Sequence, residues 1–352
     1  MCPATSSIQF KKVPPIRIAS IRSDVKSRSE IRPLIEKLYF YCEAAAAGPA
    51  FTLFYLDSGI DGLDVEVCVP VDHKVEKREL DIRTRTFRGG PVLSVVYQGT
   101  PDRLREGYLA AASWANEHGI NIENLSREIH ISSSPDKPFE NLTEIQIFII
   151  DWPQRLSQQV EKTLGPEARL AVMLGSEELS PQSRADQRSL WVHSAVETLD
   201  RLTGREETYQ IISRCAHTFS FRRIAHLREI YEETGDVDEV LDAMNMEPDW
   251  YESPEREGRV IYVTKIPANR QRYDEAVSRE ERRKAYCHCA LAYRHLDTMP
   301  PAFCNCGAGW YRQLWEGILQ KPVRIEILKS LTRKDDVCRF AIHLPLSIRV
   351  SS

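Results

Sequence analysis

The side chains of this 352-residue chain that could do chemistry fall into two groups. The first is a set of glutamates, Glu66, Glu128 and Glu144, each inside a stretch that alternates apolar and polar residues. His130 follows Glu128 by two positions, and Phe54, Tyr55, Tyr97, Trp114 and Phe148 lie close by in sequence. A carboxylate among aromatic walls captures a cationic or amphipathic small molecule. The second group is thiols: Cys287 with Cys289, and Cys304 with Cys306, with 14 residues between the two pairs. Two such pairs suggest a four-thiolate site with zinc as the first candidate ion. Cys215, His217, His288, His295 and Cys338 are further donors. Residues i and i+2 of an extended strand lie about 6.5–7 Å apart, too far for one tetrahedral ion, so a Cys-x-Cys pair chelates where the backbone turns. Pro300, Pro301 and Gly307 supply such a turn near the second pair. The alternative reading is that these cysteines are small buried apolar residues or line a pocket.

The elements that must position the glutamates form a pattern that occurs twice. Strand, helix, strand, strand is predicted over residues 16–22, 29–47, 51–56 and 65–71, and again over 92–97, 102–118, 127–132 and 143–150. Ile31, Leu34, Ile35, Leu38 and Cys42 share one face of the first helix; Leu104, Tyr108, Ala111 and Ala115 share one face of the second. Thr100 is the expected cap of that second helix, with Pro101 at its first position and Gly119 at its stop. Strand side chains alternate between faces. Ile129 and Ile131 therefore oppose Glu128, His130 and Ser132, while Ile145, Ile147 and Ile149 oppose Glu144, Gln146 and Phe148. Val65, Val67 and Val69 oppose Glu66 and Cys68. The apolar sides are expected under the helices. The polar sides are expected to meet across a pseudo-twofold axis as an acidic, aromatic-lined groove, the alternative being a wet sheet surface. Residues 83–88 alternate Arg with Thr and read as an edge segment between the two copies.

The fold class expected is α+β: a duplicated βαββ domain over residues 8–152, a linker region over 153–187, and a helical, cysteine-rich α+β domain over 188–350. The net charge of −4 and a slight excess of acids in both halves disfavour non-specific phosphate binding. No run of about 18 apolar residues exists, so no membrane partner is expected. The start of the chain lacks an apolar stretch after a basic one, and nine cysteines is an odd number, which reads as a cytoplasmic chain with reduced thiols. Residues 221–231 and 235–241 have the spacing of a helix-turn-helix, but the second helix is acidic (Asp236, Asp238, Glu239, Asp242) and no nucleic-acid partner is expected.

Several of these stretches together resemble a known family. Gly48-Pro-Ala-Phe-Thr-Leu-Phe-Tyr55, Asp64-Val-Glu-Val-Cys-Val-Pro70, Gly99 with Leu104 and Trp114, Arg127-Glu-Ile-His-Ile-Ser-Ser-Ser-Pro135 and Leu142-Thr-Glu-Ile-Gln-Ile147 are similar to the GyrI-like (SHS2-type) effector-binding domain of multidrug-sensing regulators of the AraC and MerR types. The resemblance covers residues 15–151. It implies Glu128 as the ligand-facing acid, with Glu144 and Glu66 at the groove floor. His130 stands where the family usually has Tyr, which keeps a donor and adds a titratable group. Some stand-alone relatives are hydrolases, and in that case Glu128 is implied as general base. Residues 304–340 resemble the closing helix and hairpin of the 4-vinyl-reductase-like and aminothiazoline-carboxylate-hydrolase-like groups, with Lys334 where a Gly is usual. The function expected is binding of a hydrophobic or cationic small molecule by a monomer or homodimer; the alternative is a detoxifying hydrolase that uses Glu128. No cofactor is implied beyond zinc at the thiols.

Overall fold

The computed structural model describes residues 7–42, 45–56, 62–73, 75, 81–132, 138–180 and 183–349, and the chain divides into two compact units, 1–150 and 151–352. Ser133, Ser134 and Pro135, which end one of the family-like stretches, lie outside the described residues. Among the described residues no helix is long and apolar enough to cross a membrane.

The first unit is built on β1 (Gln9–Val13), β2 (Ile16–Val25), α1 (Ile31–Cys42), β3 (Phe51–Tyr55), β4 (Leu63–Pro70), β5 (Arg83–Phe87), β6 (Gly90–Gln98), α2 (Arg105–Glu117), β7 (Ile122–Ser132) and β8 (Leu142–Ile149). All eight strands join one antiparallel sheet in the order β1-β6-β8-β7-β3-β4-β2-β5. Its middle runs β6-β8-β7 and then β3-β4-β2, joined where β3 pairs with β7. The sheet has to curl. β1 and β2 sit near opposite ends of it, yet Pro14 and Pro15 alone separate them in sequence; β5 and β6 are joined as briefly. The two turns touch: a Cβ on Gly89 would come within 2.2 Å of the Val13 carbonyl oxygen.

Each helix covers its own half. Ile31, Leu38 and Cys42 of α1 pack on Ala19, Ile21, Val65, Val67 and Val69. Ala111 of α2 packs with Val95, Tyr97, Ile145 and Ile147. Close approach of α2 depends on Gly107, whose absent Cβ would meet Ile145 Cδ1 at 2.7 Å. Between the helices lie the central strands β3 and β7. The inside of the curl has a separate apolar core of Val13, Ile18, Phe51, Leu53, Cys68, Phe87, Val92 and Phe148.

The second unit begins at Asp151, whose carboxylate accepts the Gln154 amide and starts α3 (Trp152–Leu164). Then come α4 (Pro166–Val172), α5 (Ala185–Leu202), α6 (Arg205–Ser213), α7 (Phe221–Thr234), α8 (Val237–Asn245), α9 (Pro248–Tyr251), β9 (Glu255–Glu257), β10 (Val260–Thr264), α10 (Arg270–Glu275), α11 (Arg279–Tyr286), α12 (Asn305–Leu319), β11 (Arg324–Lys329) and β12 (Arg339–His343). The strands form a four-stranded sheet, β11-β12-β10-β9, packed against α12. Residues 153–187, read from sequence as a linker region, are largely helical instead. Trp152, Leu156 and Val160 recur at helical spacing and are buried, and α3 and α4 break at Gly165-Pro166.

Candidate ligand site between the helices

The register of β7 decides which face Glu128 takes. Glu128 lies opposite Thr52 of β3 and Ile145 of β8, and Ser126 lies opposite Phe54. Phe54 packs in the α1 core and Ile145 in the α2 core, so Glu128 stands on the helix side of the sheet, on the strand left open between α1 and α2. Its side chain is 1% exposed. Both of its oxygens are bonded. Arg28 Nη1 donates to Oε2 at 2.6 Å and Nη2 to Oε1 at 2.8 Å, a bidentate pair. The Tyr108 hydroxyl, from α2, donates to Oε1 at 2.7 Å and lies 2.8 Å from Ser126 Oγ. The Arg28 guanidinium also lies 4.5 Å above the Phe54 ring centroid, in cation–π range.

Arg28 reaches this place from the short 3-10 turn before α1. Glu30 accepts the Ser27 amide at 3.2 Å and fixes that turn. Burial works against the Arg28 charge, but the Glu128 bonds outweigh it and hold its pKa above the ordinary value. Burial, then the Glu128 charge, push the Tyr108 phenol well above its usual range, so it is a neutral donor at physiological pH. Thr52 Oγ1 is buried without a hydrogen-bond partner. The site is thus one buried acid, one cation, one phenol, one aromatic face and one orphaned hydroxyl.

Glu66 and Glu144 take the opposite face, inside the curled sheet. Glu66 accepts from Tyr55 at 2.6 Å and from Arg85 at 2.7 and 3.2 Å. Arg22 pairs with Asp64 at 2.6 and 2.8 Å and stacks 3.8 Å over Tyr55. Glu144 accepts from Lys11 at 2.8 Å, Ser94 at 2.6 Å and Gln146 at 2.7 Å. Burial raises the pKa of both glutamates, but these bonds more than offset it and set both below the ordinary value. Each of the three glutamates predicted to share one acidic groove therefore carries a cation, and only Glu66 and Glu144 lie inside the curl.

Of the residues singled out from sequence, Glu128 and Phe54 come together. Glu66, Glu144, Tyr55 and Phe148 share the inner face, where Phe148 meets Phe87 edge-on at 5.6 Å. His130 is on the Glu128 face but exposed near the strand end, with Nδ1 3.3 Å from Thr143 Oγ1. Tyr97 is buried under α2 with no partner for its hydroxyl. Trp114 turns away to Phe10 (5.4 Å) and His118 (3.8 Å). Sequence reading missed Arg28, Tyr108 and Thr52 as site residues. Tyr108 carried a signal: it is the one phenol on an otherwise aliphatic helix face, and its polar tip needs a buried partner.

In the second unit, Cys287 and Cys289 follow α11, while Cys304 and Cys306 begin α12. All four keep partial solvent contact. Desolvation nonetheless pushes Cys289 and Cys306 up to about 12, and Cys287 and Cys304 upward too, so all four are thiols rather than thiolates. Cys304 Sγ lies 3.1 Å from Thr332 Oγ1. Cys215 is buried and bonds to the Ile211 carbonyl at 3.4 Å; His288 bonds to the Ile266 carbonyl at 2.7 Å and His295 to Asp186 at 3.1 Å. Among the described residues no three His, Cys, Asp or Glu are arranged to hold a metal ion. A separate concavity of about 830 Å³ in this unit, lined by residues that include Arg205, Glu206, Arg324 and Glu326, contains none of the thiols.

Comparison with known proteins bears on the first unit. The family model of the GyrI-like small molecule binding domain matches residues 6–149. Among solved structures, the EcmrR–DNA complex is similar at 26% identity and a TM-score of 0.37 over 41% of this chain; the match spans 57% of the EcmrR chain. The EcmrR C-terminal domain is similar at 25% identity and a TM-score of 0.36, covering 42% of this chain and 98% of that domain. SAV2435 bound to tetraphenylphosphonium is similar at 10% identity and a TM-score of 0.31, covering 42% of this chain and 97% of that one. No curated protein matches the chain.

Proposed function

Residues 6–149 being a GyrI-like small molecule binding domain, we propose that this unit binds a hydrophobic or cationic small molecule at Glu128, in the seam between α1 and α2. One observation carries the reading: a carboxylate 1% exposed is satisfied by side chains from both helical margins rather than by backbone amides, and a cation already rests on its aromatic neighbour. The polar interior of the curl, with Glu66 and Glu144, is a structural network in this reading, because the apolar core of Val13, Phe51, Phe87, Val92 and Phe148 fills the space beside them.

The alternative, a detoxifying hydrolase with Glu128 as general base, has less support. Arg28 and Tyr108 take three of the carboxylate's roughly four acceptor sites, and the side chain is 1% exposed, so water has little access to it. Nucleic acid is not part of the proposal: Arg223 on α7 is buried and paired with Glu247, and Asp238 on α8 pairs with Arg256. We place the protein in the cytoplasm as a monomer or homodimer that sequesters or senses its ligand.

The test is a thermal-shift titration of the full chain with lipophilic cations. A stabilisation that grows with ligand and is lost in Glu128→Gln supports the reading. An equal shift in that variant refutes it.

A further inference from the structure

The seam at Glu128 is not empty: the chain's own arginine occupies it. Arg28 contributes a flat cation, two parallel N–H donors to the carboxylate, and a face laid on Phe54 at 4.5 Å. Resting on the reading that a ligand binds at Glu128, we propose that Arg28 is a resident surrogate ligand, and that the molecule displacing it is a hydrogen-bonding planar cation, an amidinium or guanidinium on an aromatic body.

Three features lead there. The first is the acceptor geometry. With Arg28 gone, Glu128 keeps the Tyr108 bond and loses two charge-assisted ones in a site that water hardly reaches. A quaternary onium brings charge but no N–H, so it leaves the carboxylate oxygens unsatisfied; an amidinium restores both bonds. The second is shape. A guanidinium stacks flat on an aromatic face, and an aryl amidine keeps that flatness while extending apolar surface along the seam. Thr52 Oγ1, buried and unbonded beside Glu128, can accept an outer N–H of such a cation. The third is mobility. Arg28 is 29% exposed and springs from a three-residue turn. Its side chain can swing to solvent without unfolding α1.

Arg28 therefore sets affinity as well as class. While it is paired the site is closed, and an incoming cation binds with its intrinsic affinity reduced by the fraction of molecules that are open.

The experiment uses the full chain and two cations of similar size and equal charge, benzamidine and benzyltrimethylammonium, with binding followed by calorimetry or NMR titration. Benzamidine should bind the wild type about tenfold tighter or more, the difference expected for a lost pair of charge-assisted bonds. Arg28→Met, which keeps an apolar stem over Phe54, should tighten benzamidine about tenfold, and Arg28→Lys, which keeps the charge without the fork, should tighten it less. The wild-type comparison needs no variant, and Arg28→Lys guards against a fold lost in Arg28→Met. Equal binding of both cations, together with Arg28 variants within about twofold of wild type, overturns the surrogate while the Glu128 reading stands, provided Glu128→Gln still abolishes binding. Binding untouched by Glu128→Gln overturns both.

Discussion

Glu128→Gln removes one charge from the best-defined ion pair of the first unit, and its cost follows from the geometry. Two charge-assisted bonds, at 2.6 and 2.8 Å, and one phenol bond, at 2.7 Å, converge on a side chain that is 1% exposed. Removing one partner of a fully buried pair costs about 3–5 kcal/mol because the other charge is stranded. Arg28 is 29% exposed and is not fully stranded. The glutamine amide also retains one acceptor for Tyr108. Together these bring the expected cost to about 2–3 kcal/mol. Hydrogen exchange of peptides spanning β3 and β7 reads this locally: their slowest amides should exchange about 30- to 150-fold faster, at tenfold per 1.4 kcal/mol. The double variant Arg28→Met/Glu128→Gln should recover most of the loss, because it strands neither group. A single variant that exchanges within about threefold of wild type, or a double variant whose cost is the sum of the two singles, refutes the reasoning.

Further outcomes follow from the same contacts. Thr52→Val removes a buried, unbonded hydroxyl at nearly constant shape and should raise the urea midpoint by the equivalent of about 0.5–1 kcal/mol at unchanged m. Tyr108→Phe deletes the donor to Glu128 and should cost about 1–2 kcal/mol in the same assay. Acid affects the two units at different pH. Burial, with Arg155 and Lys265 nearby, lowers His217 from 6.5 to about 4. Between those values the unfolded chain takes up a proton that the folded chain refuses, so this contribution to the second unit is complete above pH 6.5 and is lost on the way to pH 4. Glu66 and Glu144 are lowered below 4.5, so their contribution to the first unit is lost only below that pH. Protection factors, that is exchange corrected for its intrinsic slowing in acid, should fall first in the second unit as the pH is lowered from 7 to 4.

Much of the first unit was legible in sequence because alternation and helical spacing are local signals. Ile31, Leu38 and Cys42 do face the sheet, and residues 83–87 of the segment read as 83–88 do form an edge strand. Alternation fixes two faces but does not say which one the helices cover. Ile129 and Ile131 looked like the helix side. In the structure Ile129 packs inside the curl and Ile131 is 53% exposed, while Glu128 turns to the helices. The signal misled because a curled sheet has an apolar interior as well as an apolar helix-covered face. A β7–β8 register that pairs Ile129 with Glu144, and Glu128 with Ile145, separates the two acids. The cations were out of reach for another reason. Arg28 lies 100 residues from Glu128 and Lys11 lies 133 from Glu144, so no spacing rule joins them. In the second unit the helix and strand periods were readable, whereas the distance between two Cys-x-Cys pairs depends on tertiary packing around α11 and α12.

In the proposed binding mode the ligand meets Glu128 on the helix side of the sheet and not Glu66 or Glu144 within the curl. A crystal structure with a bound aryl cation decides it directly. The cation is expected over the Phe54 ring, bonded to Glu128, with Arg28 turned out to solvent. A cation lodged inside the curled sheet against Glu66 or Glu144, with the Arg28–Glu128 pair intact, would contradict it.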